Sequence, residues 1–266
     1  MNYVYISYKP CGPPLTIKQR DIMTGLARGL AVIETFSQER PRQSISEVAR
    51  ASGLDRATAR RCLLTLAQEG YAHWDGKYFT LTPRVLRLGT ACLASMPLPQ
   101  LVQPYLDALS DTLGESSSVS ILDGNEIVYI ARAAQRRVMS IALMPGARLP
   151  AYCTSMGRVL LAALPEAEAR MRLGPAALPA RTDQTLTDPG AILLALKQVR
   201  SEGFALIDQE VETGLRSIAV PILNAHGQTI AALNIGNAAS IPRQRMIKDF
   251  LPRLQNLQGR LRLMIR

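Results

Sequence analysis

Residues 44–82 constrain this chain more than any other stretch, because they carry two helix-start signals separated by a glycine turn and followed by a hairpin. Ser44 with Glu47 forms a capping box: the hydroxyl accepts from a free N–H of the first turn while the carboxylate reaches back. Ile45, Val48 and Ala49 supply that helix's inner face, and Gly53 ends it. Asp55 caps a second helix that runs to about Glu69, where Gly70 stops it. Tyr71–Trp74 and Lys77–Leu81 then alternate around Asp75-Gly76, a two-residue hairpin signal. Two helices joined this tightly need small residues where they touch and a glycine where the chain turns through positive φ. Ala49, Gly53, Leu54, Ala59 and Cys62 stand at those offsets. The pattern predicts a winged helix-turn-helix, whose second helix enters the major groove of duplex DNA.

On that second helix Ala59, Cys62, Leu63 and Leu66 form one stripe, with Arg60, Arg61 and Gln68 away from it. Arg56 and Thr58 occupy the first turn, the part that reaches base edges deepest. Arginine suits this work because its planar fork pairs with guanine O6 and N7 or bridges phosphates. The candidate DNA-contacting residues are Ser44, Arg56, Thr58, Arg60, Arg61 and Lys77, the last on the wing. Asp55 is expected to cap rather than to contact DNA, since a carboxylate repels the backbone. A winged helix used only for protein contacts is the competing reading, and three outward arginines weigh against it.

The formal net charge of +10 points to an acidic partner, and its distribution is uneven. Residues 1–95 hold 13 Lys/Arg against 7 Asp/Glu, residues 96–242 hold 11 against 13, and residues 243–266 hold 7 against 1. The middle therefore resembles an ordinary slightly acidic domain between two basic ends. Cys11, Cys62, Cys92 and Cys153 are scattered without C-x-x-C or histidine at ligand spacing. Cys62 falls on an apolar helix position and is expected to be a buried, reduced thiol. Neither a disulfide framework, a structural metal nor a cofactor is expected. The first residues lack a secretory pattern, and the uncharged stretches 88–106 and 217–242 are broken by prolines and polar residues. The expectation is a cytoplasmic protein without membrane contact.

At 266 residues the chain is long enough for two ordinary domains. Residues 1–20 are rich in Pro and Tyr, lack periodicity and read as a flexible tail. From Thr24, Leu26, Leu30 and Ile33 recur at helical spacing with Ala27, Val32 and Phe36 alongside. A DNA-binding domain is expected over 21–83. Pro83 opens an amphipathic segment with Val85, Leu86, Leu88 and Leu93, read as a linker helix over 84–98 that ends in the proline-rich stretch 97–104. Residues 99–266 mix strands and helices. Ser117–Leu122 and Ile127–Ala131 flank a hairpin turn at Asp123-Gly124-Asn125, and Val138–Leu143 is a candidate third strand. Leu149–Leu164 reads as a loop entering a helix, and 166–173 and 188–201 as helices. Phe204–Ile207, Ser217–Leu223 and Thr229–Ile235 read as strands, and a final helix runs from about Arg243. The fold class is α+β with an antiparallel sheet.

With the helix pair placed, residues 22–266 resemble the IclR family of bacterial transcription regulators. The resemblance runs through Leu26-Ala27-Arg28-Gly29-Leu30-Ala31-Val32-Ile33, the linker LTPRVLRLG at 81–89, LPAYCTSMGRVLLA at 149–162, RSEGFALIDQE at 200–210 and GLRSIAVPI at 214–222. Two stretches, QRRVMSIALMPGARLPAYCTSMGR and DQEVETGLRSIAVP, are similar to the branch that controls protocatechuate, 4-hydroxybenzoate and β-ketoadipate catabolism. The resemblance implies an N-terminal winged helix-turn-helix, a C-terminal effector domain related to GAF domains, and homodimers or homotetramers on palindromic operator DNA. It implies a small organic acid effector and, for an activator of aromatic-acid genes, RNA polymerase as a further partner. A repressor of another organic-acid operon, released by its effector, is the alternative.

The effector cradle implied by the family maps onto Tyr152, Thr154, Ser155 and Met156 at a helix start, with Ser217, Asn234 and Asp208. Glu210 competes with Asp208 for the acidic position. A Thr-Ser pair at a helix start directs N–H groups and hydroxyls toward a cavity, a natural carboxylate site, and Arg132 and Arg148 are candidates to add charge. Against catalysis, the chain has no G-x-S-x-G, H-E-x-x-H or Ser-x-x-Lys motif. Cys153 and His226 stand at arbitrary spacing for a nucleophile and base, and the chain is not expected to be an enzyme. A ligand-blind architectural DNA protein remains the other rival, which a full-sized, slightly acidic second domain disfavours.

Overall fold

Local capping signals set the helix boundaries at the N-terminal end of the molecule, a computed structural model that describes residues 18–37, 39–135 and 143–265. The chain divides into two compact units, one running to Ser95 and the other from Met96. In the first, α1 (Thr24–Glu34), α2 (Ile45–Ser52) and α3 (Arg56–Gln68) pack with a small antiparallel sheet of β1 (Arg42–Ser44), β2 (Ala72–Trp74) and β3 (Tyr78–Leu81), ordered β1-β3-β2. The core comprises Val32, Val48, Ala49, Ala59, Leu63, Ala72 and Phe79. Full burial of side chains the size of Leu63 and Phe79 contributes roughly 1.5–3 kcal/mol each. Gln43 is also buried, its Nε2 donating 2.9 Å to the Thr35 carbonyl at the end of α1.

Two local readings need correction, and two features had not been read from the sequence. The three-residue strand β1 was not anticipated, because it exists only by pairing with β3. The hairpin closes through Asp75 N–H to Tyr78 C=O at 3.1 Å, which centres the turn on Gly76-Lys77, one residue later than expected. Cys62 is half-buried rather than buried. The α1 residues Leu26 and Leu30 are 61% and 48% exposed, while Val32 and Thr35 face the core. A short 3₁₀ turn (Pro83–Val85) leads into α4 (Leu86–Ser95).

The second unit begins with α5 (Pro97–Leu113), so the proline-rich stretch read as a helix end starts a new helix instead. Pro97 and Pro99 sit in its first turn, where N–H groups have no intrahelical acceptor, and only Pro104 lies inside it. Six antiparallel strands follow: β4 (Ser116–Asp123), β5 (Glu126–Ala133), β6 (Arg148–Pro150), β7 (Ala205–Asp208), β8 (Leu215–Leu223) and β9 (Thr229–Ala238). Their order is β6-β5-β4-β9-β8-β7. Residues 138–142 of the candidate strand Val138–Leu143 lie outside the described residues.

Pairing fixes which residues share a face. One row runs Ser117–Ile235–Ile218, and the Ser117 hydroxyl donates to the Leu106 carbonyl of α5, so this face lies under α5 and α10 (Leu251–Arg262). The neighbouring rows belong to the opposite face. That face is covered by α6 (Ser155–Ala162), with α7 (Glu166–Leu173) and α8 (Pro189–Glu202) packed beyond it. A three-residue helical turn, α9 (Arg243–Arg245), and a five-residue π turn (Met246–Phe250) lead into α10. Among the described residues no single helix is long and apolar enough to cross a membrane, and no acidic, cysteine or histidine cluster suits a metal ion.

Candidate DNA-reading helix and ligand cavity

In the first unit the predicted caps form in full. The Ser44 hydroxyl accepts from the Glu47 N–H, and the Glu47 carboxylate accepts from the Ser44 N–H at 2.7 Å and from its hydroxyl at 2.6 Å. Gly53 adopts φ 68°, a left-handed conformation that costs a side chain-bearing residue roughly 1–2 kcal/mol. Asp55 accepts from the Thr58 N–H at 2.9 Å and from the Thr58 hydroxyl at 2.6 Å. Those hydrogen bonds hold the Asp55 and Glu47 carboxyls below their ordinary range. The hydroxyls of Ser44 and Thr58 are thus committed to capping.

Ala59 and Leu63 bury one side of α3, and Arg56 and Arg60 are exposed and four residues apart, one turn above the other. Neither forms an ion pair among the described residues. Arg61 is exposed as well, but it lies further round the helix, at the edge of a groove against α1 that Thr58, Cys62 and Thr65 also line. On the wing, Lys77 is exposed with its ammonium 5.1 Å from the Tyr78 ring. Reading the sequence missed Arg42. It pairs with Asp75 at 2.6 Å and stacks 4.2 Å from the centre of the Tyr78 ring, so β1 brings a further cation to the wing. The Asp75 carboxyl is lowered by the Tyr78 N–H first and by Arg42 next.

In the second unit a cavity lies between the sheet and the start of α6. Two ladder rows form its floor: Ser116–Gly236–Ser217, and Arg132–Ser118–Asn234 beside it. Thr154, Ser155, Met156, Leu149, Val211, Leu215, Leu143 and Tyr129 complete the lining. It encloses about 430 Å³ of atom-free space counted to its open mouth, of which about 30 Å³ is wide enough for the centre of a water molecule. The Thr154 hydroxyl caps α6 by accepting from Gly157 N–H at 3.0 Å, and the Ser217 hydroxyl donates to Ser155 at 2.9 Å. Arg132 donates to the Ser118 hydroxyl at 2.9 Å. The Asn234 carbonyl oxygen is buried without a hydrogen-bond partner among the described residues. Burial pushes the Tyr129 phenol up to about 12, so it stays a neutral donor.

The structure brings Thr154, Ser155, Met156, Ser217 and Asn234 to one cavity and keeps two other expected residues out of it. Asp208 pairs across the sheet with Arg216 and binds its guanidinium at 2.7 Å. Because neighbours on a strand alternate, Arg216 and Asp208 face away from the side that presents Ser217. Tyr152 sits in a 3₁₀ turn (Ala151–Cys153); its hydroxyl donates to the Pro179 carbonyl and its ring lines a separate hollow with Pro150, Leu161 and Leu178. Arg148 is likewise occupied elsewhere, by Asp123 at 2.8 Å and Glu126 at 2.7 Å.

Glu210 has a structural partner: its carboxylate meets Arg158 of α6 at 2.6 Å, both nine-tenths buried, and accepts from the Leu186 N–H at 3.1 Å. Burial raises the Glu210 carboxyl, and Arg158 opposes that rise. Arg158 was overlooked, although a lone cation in the otherwise uncharged run Met156–Ala163 was a visible signal of a buried ion pair. Cys153 is buried and its thiol is pushed up to about 11 by that burial, which leaves no reactive thiolate near neutral pH.

A helix-turn-helix with an arginine-bearing second helix, joined in one chain to a domain with a polar cavity, defines a ligand-responsive DNA-binding regulator. The chain belongs to the IclR family: residues 25–76 match the IclR helix-turn-helix domain, and residues 90–262 match the bacterial transcriptional regulator IclR C-terminal domain. It is 48% identical over 234 residues to the Pca regulon regulatory protein of Pseudomonas putida, covering 87% of this chain and 80% of that protein. It is 38% identical to the p-hydroxybenzoate hydroxylase transcriptional activator of Acinetobacter baylyi, covering 92% of this chain and 93% of that protein. The crystal structure of a double mutant of the PobR inducer binding domain from Acinetobacter, in complex with 3-hydroxybenzoic acid, matches with TM-score 0.58 and 36% identity, covering 62% of this chain and 97% of that one. These relatives are transcriptional regulators, and this chain is a DNA-binding transcription regulator rather than an enzyme.

Proposed function

We propose that this regulator binds operator DNA through Arg56, Arg60 and Arg61 of α3 with Lys77 on the wing, and that a small organic acid held in the α6 cavity controls the binding. The observation that carries the effector reading is the cavity itself. It combines one arginine, a helix start with capping hydroxyls, and a buried carboxamide oxygen that has no partner among the described residues. A buried unpaired polar atom costs about 1–3 kcal/mol, which a ligand oxygen donor offsets. In this reading the acid's carboxylate meets Arg132, Ser155 and Ser217, and a hydroxyl on the acid, where it carries one, donates to the Asn234 carboxamide oxygen. The regulators of the Pca regulon and of p-hydroxybenzoate hydroxylase among its relatives support 4-hydroxybenzoate, protocatechuate or β-ketoadipate as the effector and activation of aromatic-acid catabolic genes as the output.

The working molecule is a cytoplasmic homodimer or homotetramer, with a DNA-binding domain to about residue 83, α4 as the linker helix and an effector domain that begins with α5. Its two recognition helices sit one DNA turn or a multiple apart. Effector binding favours one arrangement of the linker helices, and control equals the difference in affinity between two arrangements. Calorimetry of the full chain with the three acids tests the effector assignment. One of them is expected to bind stoichiometrically to wild type and at least tenfold more weakly to Asn234→Leu. Failure of all three acids to bind overturns it.

A further inference from the structure

A further hollow lies on the opposite face of the C-terminal unit, in a groove between α5 and α10 that the effector site does not touch. About 780 Å³ of it is wide enough for the centre of a water molecule. Tyr105, Leu109 and Leu113 of α5 with Pro252 and Leu257 of α10 give it an apolar floor, and Lys248, Arg253 and Arg260 give it a cationic rim. The π turn Met246–Phe250 inserts one extra residue ahead of α10, and Lys248 and Asp249 line the groove from within it. Asp249 is the groove's single carboxylate, and Arg245 already neutralises it at 3.3 Å. Lys248 and Arg253 are exposed and form no ion pair among the described residues, while Arg260 lies 5.0 Å from the centre of the Tyr105 ring.

We infer that this groove docks an acidic amphipathic helix of a partner protein. An apolar floor accepts the leucine-type stripe of such a helix, and three unopposed cations match carboxylates on its flanks. Duplex DNA would use the rim and waste the floor, since its outer surface is charged throughout. A second copy of this chain would bring the same three cations to face these three, and like charges across an interface cost several kcal/mol. The groove side of α5, formed by Tyr105, Ala108, Leu109, Thr112 and Leu113, supplies no carboxylate to relieve that repulsion.

The test uses the full chain and a dye-labelled amphipathic helical peptide of 18 residues, with leucines on one face and glutamates on the other, followed by fluorescence anisotropy. The control peptides carry glutamine or lysine in place of glutamate. The glutamate peptide is expected to bind at least tenfold more tightly than the glutamine one, to weaken as salt rises, and to bind at least tenfold more weakly to Lys248→Glu/Arg253→Glu. Lys248→Arg/Arg253→Lys is expected to retain binding, which separates charge from folding. Equal binding of the glutamate and glutamine peptides overturns the inference. So does a change of sedimentation coefficient in the charge-reversed variant, which makes the groove a contact between copies, or a loss of its operator affinity, which makes the rim a phosphate contact.

Discussion

Arg60 is exposed on α3 with no ion pair among the described residues, so removing it neither exposes a core nor strands a buried charge. Arg60→Ala is expected to weaken operator binding by about 1–3 kcal/mol, measured by anisotropy of a labelled duplex, with the effector isotherm unchanged. Ser217→Ala is expected to act in reverse, sparing DNA affinity and weakening the acid, since its hydroxyl lies on the cavity floor against Ser155. A Ser217→Ala protein that binds the acid like wild type removes the serine from the site. Glu210→Gln tests a different property. The amide leaves Arg158 charged, buried and unpaired, a defect expected to cost about 3–5 kcal/mol in urea denaturation. A loss below 1 kcal/mol shows that the pair is dispensable.

The helix α6 owes its position to Gly157. A methyl group there would lie 2.1 Å from the Ala151 carbonyl oxygen, so Gly157→Ala forces backbone apart at the cavity roof. An overpacking penalty of at least about 1–3 kcal/mol is expected in thermal denaturation, together with weaker acid binding; an unchanged melting temperature contradicts the close approach. In the N-terminal unit, Glu47, Asp55 and Asp75 are all held below their ordinary carboxylate range. A depressed folded-state value contributes stability that is complete above the unfolded value, about 4, and is lost as pH falls through the folded one. The fluorescence of Trp74, the single tryptophan, sits in this unit and is expected to report its unfolding at progressively lower temperature below about pH 4. A flat melting temperature from pH 5 to pH 3 contradicts that linkage.

These elements also show what a sequence can disclose. The caps Ser44, Asp55 and Asp188 act within three residues of themselves, and each marks its helix start in the structure. The strand β1 leaves no local trace, since three residues become a strand only after β3 arrives. α5 was hidden because proline reads as a breaker, while Pro97 and Pro99 are tolerated where the helix has no acceptor for their missing N–H. Thr154, Ser155, Ser217 and Asn234, singled out through the resemblance, line one cavity, while Asp208 and Glu210 both turn to arginine partners outside it. That placement depends on strand alternation and on the turn after β7, where Gln209 adopts φ 59°.

At the scale of the whole chain, the helix-turn-helix and the polar cavity belong to separate compact units, so control by a ligand of the cavity requires that binding in one alter the affinity of the other. Charge follows the same division, with an excess of cations over residues 1–95, and operator binding is expected to fall steeply between 50 and 200 mM salt. Variants of the cavity are expected to leave that salt slope unchanged, and Arg60→Ala is expected to lower it or relax base preference. The most direct measurement is a titration of promoter duplex with full-length protein at fixed salt, with and without saturating 4-hydroxybenzoate, protocatechuate or β-ketoadipate. One of the acids is expected to shift the dissociation constant by about 5–150-fold, equivalent to 1–3 kcal/mol of coupling. Superimposable curves with a bound acid would contradict the account.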